Sequence, residues 1–280
     1  MSELDPTQES LRTWTAVAPA WDAYRQKVFD DTRPASERLV AELDPQPGQT
    51  ILELTCGTGE TGFLVAEKVG ADGTLIASDF VPAMVDAARR GAGERGLDNV
   101  ECRVIDAQQV DLPDDSVDGV LSRFGLMLVP DQEQAMREIR RVRRPGGRCA
   151  YATWAPPDRN PWLFQVVGAL LQNGHAPPVD PFAPGGVFSL ATSERNRELV
   201  TEAGFTSVDV VEVDGAMRFS SPDDYWTQST SLTGPLATLV AGLGDEDVAA
   251  VRATLDASLA PFEHEGGLVL PWVSLVTSMT

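Results

Sequence analysis

An alternation that begins at Thr50 constrains the fold more than any other feature, because short runs rich in β-branched residues alternate there with stretches of helical pattern. Alternating strands and helices are typical of a doubly wound, mostly parallel sheet. The predicted strands are TILEL at 50–54, TLIAS at 74–78, VECRVI at 100–105, VDGVLS at 117–122, GRCAYATW at 147–154, TSVDVVEV at 206–213 and GGLVLPWVSLVTSM at 266–279. The sequence therefore predicts an α/β fold with a seven-stranded sheet.

The segments between these strands predict helices, and residues 131–143 carry the clearest signals. Asp131 is a suitable N-cap, and Met136, Ile139 and Val142 share one face of the helix. Further helices are expected at 58–69, 82–95, about 192–203 and 245–259. The aromatic-rich N-terminal part is expected to form several helices before the sheet.

The domain organisation follows from where the alternation starts and where it is interrupted. Residues 1–45 form an N-terminal helical segment, and residues 46–280 form one α/β domain with insertions at about 155–190 and 215–244. The first insertion is rich in Pro and Gly but carries large apolar residues, which a disordered linker would lack. We expect it to be structured and to act as a lid.

The net negative charge of the chain argues against a nucleic-acid partner. The 22 Lys and Arg residues against 42 Asp and Glu residues give a net charge of −20, which repels a nucleic-acid backbone. A small-molecule substrate is therefore expected, and the oligomeric state is left open. The polar, acidic N-terminus and the lack of a long apolar run lead us to expect a cytoplasmic protein without a membrane span.

Cysteine and histidine spacing argues against a metal site. Cys56, Cys102 and Cys149 lie far apart, without C-x-x-C spacing and without a neighbouring histidine. We expect buried thiols and no bound metal.

The turn after the first strand predicts a nucleotide-like ligand. In LELTCGTGETG, at 52–62, three glycines satisfy the G-x-G-x-x-G pattern of dinucleotide sites, which is weak evidence by itself. Ligands of parallel sheets bind beyond the carboxyl ends of the strands. The candidate residues there are Glu53 to Gly59 after the first strand, Asp79 after the second, Asp106 after the third, and Ser122 with Arg123 after the fourth.

Two ligand classes fit an acidic residue at position 79, because a carboxylate accepts both ribose hydroxyls of either a nicotinamide dinucleotide or another adenosine derivative. Glu53 stands where a dinucleotide turn normally has an apolar residue, and it suits a cationic ligand group. Asp106 with Ala107 could bind an exocyclic amine such as that of adenine. About 50 residues also precede the turn, whereas a dinucleotide unit commonly opens its domain.

Four motifs in this order resemble the class I S-adenosylmethionine-dependent methyltransferases, and most closely the branch of ubiquinone and menaquinone biosynthesis C-methyltransferases. They are ILELTCGTGETG, ASDFVPAMVDAAR, VECRVIDAQQVDLPDDSVDGVLS and REIRRVRRPGGRCAYATW, spread over roughly residues 45–155, with TEAGFTSVDVVEV as a weaker match. The resemblance implies a Rossmann-like fold and S-adenosyl-L-methionine as cofactor.

The resemblance also implies roles for single residues. Glu53, Gly57 and Gly59 belong to the part that holds the methionine end, and Asp79 is the ribose acid. Phe80 and Met84 correspond to residues that pack on the adenine, Asp106 and Ala107 to the pair at its edge, and Ser122 and Arg123 to the backbone near the transferable methyl. Thr55 replaces the family's first glycine, and we expect it to donate a hydrogen bond to the methionine carboxylate.

The acceptor is less defined than the cofactor. Tyr24, Trp154 and His175 are candidate substrate-binding residues, and His175 and His264 are the candidate general bases, although the resemblance implies no universal catalytic residue. Aromatic residues outside the sheet suit an apolar or aromatic acceptor. The prediction is methyl transfer to C or O of a small molecule. An NAD(P)-dependent oxidoreductase and a non-catalytic cofactor-binding scaffold remain the alternatives.

Overall fold

The computed structural model describes residues 6–177 and 180–280. The strands among them are β1 Thr50–Glu53, β2 Thr74–Asp79, β3 Val100–Val104, β4 Val117–Arg123, β5 Arg143–Trp154, β6 Val208–Phe219, β7 Glu263–His264 and β8 Gly267–Met279. The helices are α1 Pro6–Leu43, α2 Glu60–Val69, α3 Pro82–Arg95, α4 Gln132–Val142, α5 Gln165–Gln172, α6 Ser193–Glu202, α7 Pro222–Leu232, α8 Gly234–Ala241 and α9 Asp245–Leu259.

The strands form one sheet in the order β3-β2-β1-β4-β5-β8-β6. Strands β1 to β5 are parallel to one another, whereas β8 is antiparallel to both β5 and β6. The two-residue strand β7 adds to β8 through a tight turn. The predicted doubly wound, mostly parallel sheet of seven strands is confirmed, with β7 as a short addition.

Strand order explains why the candidate residues meet. Chain order reverses beside β1, which lies between β2 and β4, so the carboxyl ends of these three strands share one rim. Glu53 ends β1, Asp79 ends β2 and Arg123 ends β4. Residues 70 positions apart in sequence are therefore neighbours at the rim.

The N-terminal part is one 38-residue helix, so the expectation of several separate helices is wrong. Helix α1 contains Pro19 and Pro34. Proline has no backbone N–H to donate to the helix, and inside a helix it commonly causes a kink. The C-terminal residue of α1, Leu43, packs in a buried cluster with Ile51 of β1, and Ala18 packs on Met84 of α3. Helix α1 thus lies across the rim.

Helix α4 forms as the sequence predicts. The Asp131 carboxylate accepts a hydrogen bond from the Gln134 backbone N–H at 2.8 Å, and Met136 and Ile139 are buried. The helix ends at Val142, because the next residue already starts β5, four residues before the predicted strand.

The segments around β6 differ from the predicted pattern. Strand β6 continues to Phe219, into the range 215–244 expected as an insertion, because it pairs with β8 over its full length. Range 155–190 contains two short 3-10 turns and α5. Within residues 6–177 and 180–280, no helix combines the length and the apolar character needed to cross a membrane.

Candidate cofactor and acceptor site

The glycine turn after β1 leaves space on its outer side. Gly57 has φ 55° and Gly59 has φ 94°, both in the left-handed region. A Cβ at Gly59 would lie 2.6 Å from the Phe63 ring, so this glycine leaves room for the Phe63 side chain of α2. A Cβ at Gly57 would meet no protein atom within 4 Å. Backbone atoms of Gly57 therefore face open space, as a close-fitting ligand requires.

Glu53 is a buried carboxylate with a free oxygen. The residue is 1% exposed, and its Oε2 atom has no hydrogen-bond partner. Burial raises the pKa of Glu53 well above its usual value, while the nearby Arg123 guanidinium opposes this rise. A Cβ at Gly62 would lie 2.1 Å from Oε2, so this glycine makes the space for the carboxylate. An orphaned buried carboxylate oxygen suits a cationic group.

Asp79 joins the end of β2 to the glycine turn. Its Oδ2 accepts a hydrogen bond from the Gly57 N–H, and its Oδ1 accepts one from the Val81 N–H, both at 3.0 Å. Burial raises the pKa of Asp79 to about 6, and the backbone hydrogen bonds limit the rise. Each carboxylate oxygen keeps a second lone pair, so the ionised form can also accept hydroxyl donors.

The Thr55 hydroxyl forms two hydrogen bonds with other groups of the protein. The hydroxyl donates to the Leu54 carbonyl at 2.5 Å and lies 2.7 Å from Ser122 Oγ at the end of β4. Because a hydroxyl has one hydrogen, Ser122 is the donor of the second bond. The hydroxyl thus forms its hydrogen bonds within the protein, and the expected hydrogen bond to the methionine carboxylate stays a prediction.

Arg123 brings a cation to the rim. Its Nη1 atom donates to Thr32 Oγ1 of α1 at 2.8 Å, which takes one of five guanidinium donors. Burial lowers the pKa of Arg123, and the Glu60 and Glu53 carboxylates counteract that effect. The guanidinium also lies 5.3 Å from the centre of the Phe124 ring.

The predicted adenine contacts divide into two groups. Phe80 and Met84 pack in one cluster with Trp14 and Trp21 of α1, so helix α1 contributes to the surface expected to receive the adenine. At the end of β3, Asp106 accepts a hydrogen bond from the Gln108 backbone N–H at 2.8 Å, and Ala107 is buried in the main core. Their adenine contacts stay predictions.

An aromatic group lies beside Arg123. The Phe124 and Trp154 rings stack with centres 3.7 Å apart, and Trp154 makes edge contacts with Trp162 at 5.1 Å and Trp272 at 5.8 Å. Trp162 Nε1 is buried and has no hydrogen-bond partner. These four residues form what we call the aromatic wall, and Trp154 is the member that the sequence predicted.

The other acceptor candidates lie apart from one another. Tyr24 is a half-buried residue of α1. His175 follows α5, and its Nε2 atom lies 3.6 Å from Asp247 of α9 in the outer helical layer. His264 is exposed in β7. Among the described contacts, none places either histidine beside Glu53, so a histidine base stays a prediction without geometric support.

Sequence reasoning missed a charged group beneath α1. Glu60, at the first position of α2, is 3% exposed, and its Oε1 atom lies 3.8 Å from Arg25 Nε. Arg25 also pairs with Glu94 of α3 at 2.5 Å. The position of Glu60 directly after the glycine turn was a usable signal, whereas nothing in the sequence pairs it with Arg25. Helix α1 is therefore fixed to the rim by charge.

Metal ligation is not indicated at this rim. Across residues 6–177 and 180–280, no group of three or more His, Cys, Asp or Glu side chains is arranged to hold a metal ion.

Comparison with known proteins identifies the domain that carries this rim. Residues 45–173 match a family described as a methyltransferase domain. Aklanonic acid methyltransferase DauC of Streptomyces sp. (strain C5) is 32% identical over 143 residues, covering 48% of this chain and 65% of that protein. Demethylmenaquinone methyltransferase of Listeria welshimeri is 36% identical over 117 residues, covering 42% of this chain and 50% of that protein.

A solved structure shows the same fold. An S-adenosylmethionine-dependent methyltransferase from Aquifex aeolicus aligns with a TM-score of 0.52 and 21% identity, over 75% of this chain and 94% of that one. The chain spans less than two thirds of the length of each sequence relative named above. The oxidoreductase alternative finds no support in these matches. Residues 45–173 therefore match a methyltransferase domain, and the chain is similar to S-adenosylmethionine-dependent methyltransferases, demethylmenaquinone methyltransferase among them.

Proposed function

We propose that this chain transfers the methyl group of S-adenosylmethionine to C or O of a small aromatic acceptor. One observation carries the proposal: a glycine turn with open space at Gly57 lies between two buried carboxylates, Glu53 and Asp79. The cofactor has a cationic end and a ribose diol, which are the groups that two such carboxylates bind. The match of residues 45–173 to a methyltransferase domain supports the reaction type.

The residues at the rim fit this cofactor. Glu53 Oε2, orphaned and buried, would accept hydrogen bonds from the ammonium of the methionine end. Asp79 would accept the ribose hydroxyls while the Gly57 and Val81 N–H groups hold its carboxylate in place. Phe80 and the α1 tryptophans packed around it would cover the adenine.

Positioning is the main task of the protein in this reaction. When bound, the cofactor would supply an electrophilic methyl on a sulfonium, which an acceptor nucleophile would take in line as the S–CH3 bond breaks and the neutral thioether leaves. The aromatic wall would exclude water, and an acceptor ring would stack against its two half-buried members, Phe124 and Trp162. Arg123 retains N–H donors that would bind an acceptor oxygen and favour its anionic, more nucleophilic form.

Trp162 gives a second anchor for the acceptor. Its Nε1–H is buried without a partner, and a donor in that state costs free energy unless a ligand satisfies it. Trp162→Phe should therefore weaken binding of 1-naphthol in the presence of S-adenosylhomocysteine at least about threefold. The unfolding free energy should change by less than about 2 kcal/mol, below the cost of truncating a buried aromatic residue to alanine. Unchanged 1-naphthol affinity would remove Trp162 from the acceptor site.

Calorimetry tests the cofactor half of the proposal. S-adenosylhomocysteine should bind the purified chain, whereas NAD and NADP should not. Gly57→Ala should weaken that binding strongly, because its Cβ would occupy the open space and its φ is left-handed. Binding of NADP without S-adenosylhomocysteine binding would contradict the proposal.

A methyl-transfer assay tests the catalytic half. The chain is incubated with S-adenosylmethionine and one of three acceptors: 1-naphthol, 1,4-naphthohydroquinone or 2-naphthoic acid. Formation of S-adenosylhomocysteine with a methylated product is the expected result. Tight cofactor binding without turnover on any of them would favour the scaffold alternative.

The remaining expectations concern context. We propose residues 46–280 as the catalytic domain and residues 1–45 as the segment that covers its rim. The charge of −20 supports small-molecule acceptors over nucleic acid. A cytoplasmic location stays a prediction.

A further inference from the structure

Thr55 is held in a conformation that its residue type disfavours. Its φ is 55°, in the left-handed region where a β-branched residue is a rare outlier. Glycine, the residue of the family at this position, would adopt that φ freely. Two hydrogen bonds, to the Leu54 carbonyl and with Ser122 Oγ, fix the Thr55 side chain. These two hydrogen bonds therefore offset part of the conformational cost of a β-branched residue at this φ.

Gly125 provides the space that Thr55 fills. A Cβ at Gly125 would lie 2.0 Å from Thr55 Oγ1 and 2.3 Å from Thr55 Cβ. Gly125 itself has φ −112° and ψ −37°, which any residue can adopt. Glycine is thus needed at this position for room and not for backbone freedom.

The segment between these contacts carries the start of the aromatic wall. Phe124 has φ 57°, also left-handed, and its ring stacks on Trp154. Thr55 contacts the residue two positions before Phe124, which is Ser122, and fills the space at the residue directly after it, which is Gly125. The Thr55 side chain therefore packs against residues on both sides of Phe124 in the chain.

We propose that Thr55 is a positioning residue for the acceptor and not a cofactor ligand. Its side chain holds Phe124 against Trp154 and so shapes the wall for a flat aromatic ring. This inference rests on the proposed function, and it assigns the departure from glycine to acceptor selection. Cofactor affinity should depend little on the residue at position 55.

A double-mutant cycle tests the contact without any ligand. Gly125→Ala should lower the melting temperature by roughly 5 °C, because the new methyl overlaps Thr55. Thr55→Gly combined with Gly125→Ala should restore the melting temperature to that of Thr55→Gly alone. Additive losses in the double variant would overturn the proposal.

Ligand binding then separates the two roles. Thr55→Val keeps the shape but removes the hydroxyl, and it should weaken 1-naphthol binding to the S-adenosylhomocysteine complex by about threefold or more. S-adenosylhomocysteine affinity should change less than about twofold, and Thr55→Ser should restore 1-naphthol affinity. A loss confined to S-adenosylhomocysteine, or 1-naphthol affinity unchanged by Thr55→Val, would overturn the proposal.

Failure of this inference is distinguishable from failure of the proposed function. If the wild-type chain binds S-adenosylhomocysteine but none of 1-naphthol, 1,4-naphthohydroquinone and 2-naphthoic acid, the acceptor role of Thr55 is refuted while the cofactor site stands. If the wild-type chain does not bind S-adenosylhomocysteine, the proposed function itself fails.

Discussion

We expect Asp79 to make cofactor binding depend on pH between about pH 5 and pH 7. Burial raises the pKa of its carboxyl from 3.8 to about 6 in the ligand-free chain. Ribose hydroxyls donate hydrogen bonds, so they need the ionised form as acceptor. At pH 5 about nine tenths of the chains carry protonated Asp79, and we expect S-adenosylhomocysteine affinity to be about tenfold lower than at pH 8 from this group alone.

The raised pKa of Asp79 also makes the folded chain less stable as pH rises. Because the folded pKa lies above the unfolded value, the folded chain binds more protons between about pH 4 and pH 6. The contribution of Asp79 to the unfolding free energy therefore falls as pH rises through that window, by about 3 kcal/mol. Ligand binding offsets this cost, so S-adenosylhomocysteine should raise the melting temperature more at pH 8 than at pH 5.

Calorimetry from pH 5 to pH 8 measures the dependence, and Asp79→Asn is the matched variant. This variant should bind at least about tenfold more weakly at pH 8, since it loses charge-assisted hydrogen bonds. A plot of log affinity against pH should also lose one unit of slope below pH 6. Any slope that remains is expected from Glu53, whose pKa is also raised. Equal slopes in the wild type and in Asp79→Asn would refute the argument.

Two further predictions concern the buried carboxylates Glu53 and Glu60. Gly62→Ala places a methyl 2.1 Å from Glu53 Oε2. The melting temperature in a thermal scan and the affinity for S-adenosylhomocysteine should therefore both fall. An unchanged melting temperature would show that the Glu53 carboxylate can move aside. Arg25→Gln leaves buried Glu60 with the Arg123 guanidinium but without Arg25, and it should lower the unfolding free energy by about 1–3 kcal/mol in urea. Arg33→Gln, which removes an exposed pair, is the control and should cost less than about 1 kcal/mol; equal losses in the two variants would contradict the burial argument.

The rim could be predicted from sequence because each of its residues follows a strand. Glu53, Asp79 and Arg123 end strands with clear patterns, and parallel strands bring their carboxyl ends together. The position of the glycine turn then fixed which strand ends would matter. The strand order and the residues that meet at the rim therefore follow from local patterns in the sequence, and their roles toward the cofactor stay predictions.

The covering layer could not be predicted in the same way. Pro19 and Pro34 read as helix breaks, yet packing on both sides keeps α1 continuous. The contacts of α1 with the rim join residues far apart in sequence, such as Thr32 and Arg123. Phe124 was overlooked because a left-handed φ in an aromatic residue has no sequence signature. Long-range packing decides such features, and periodicity does not encode them.

The position of β8 has a consequence for how the chain reaches its fold. This strand comes after all the others along the chain, yet it pairs with β5 on one side and β6 on the other. Until β8 is in place, the apolar run of β5 from Cys149 to Trp154 has an unpaired edge. A ribosome must therefore synthesise the chain through residue 279 before the sheet can be completed. Chains that lack residues 267–279 would expose that edge and be prone to self-association.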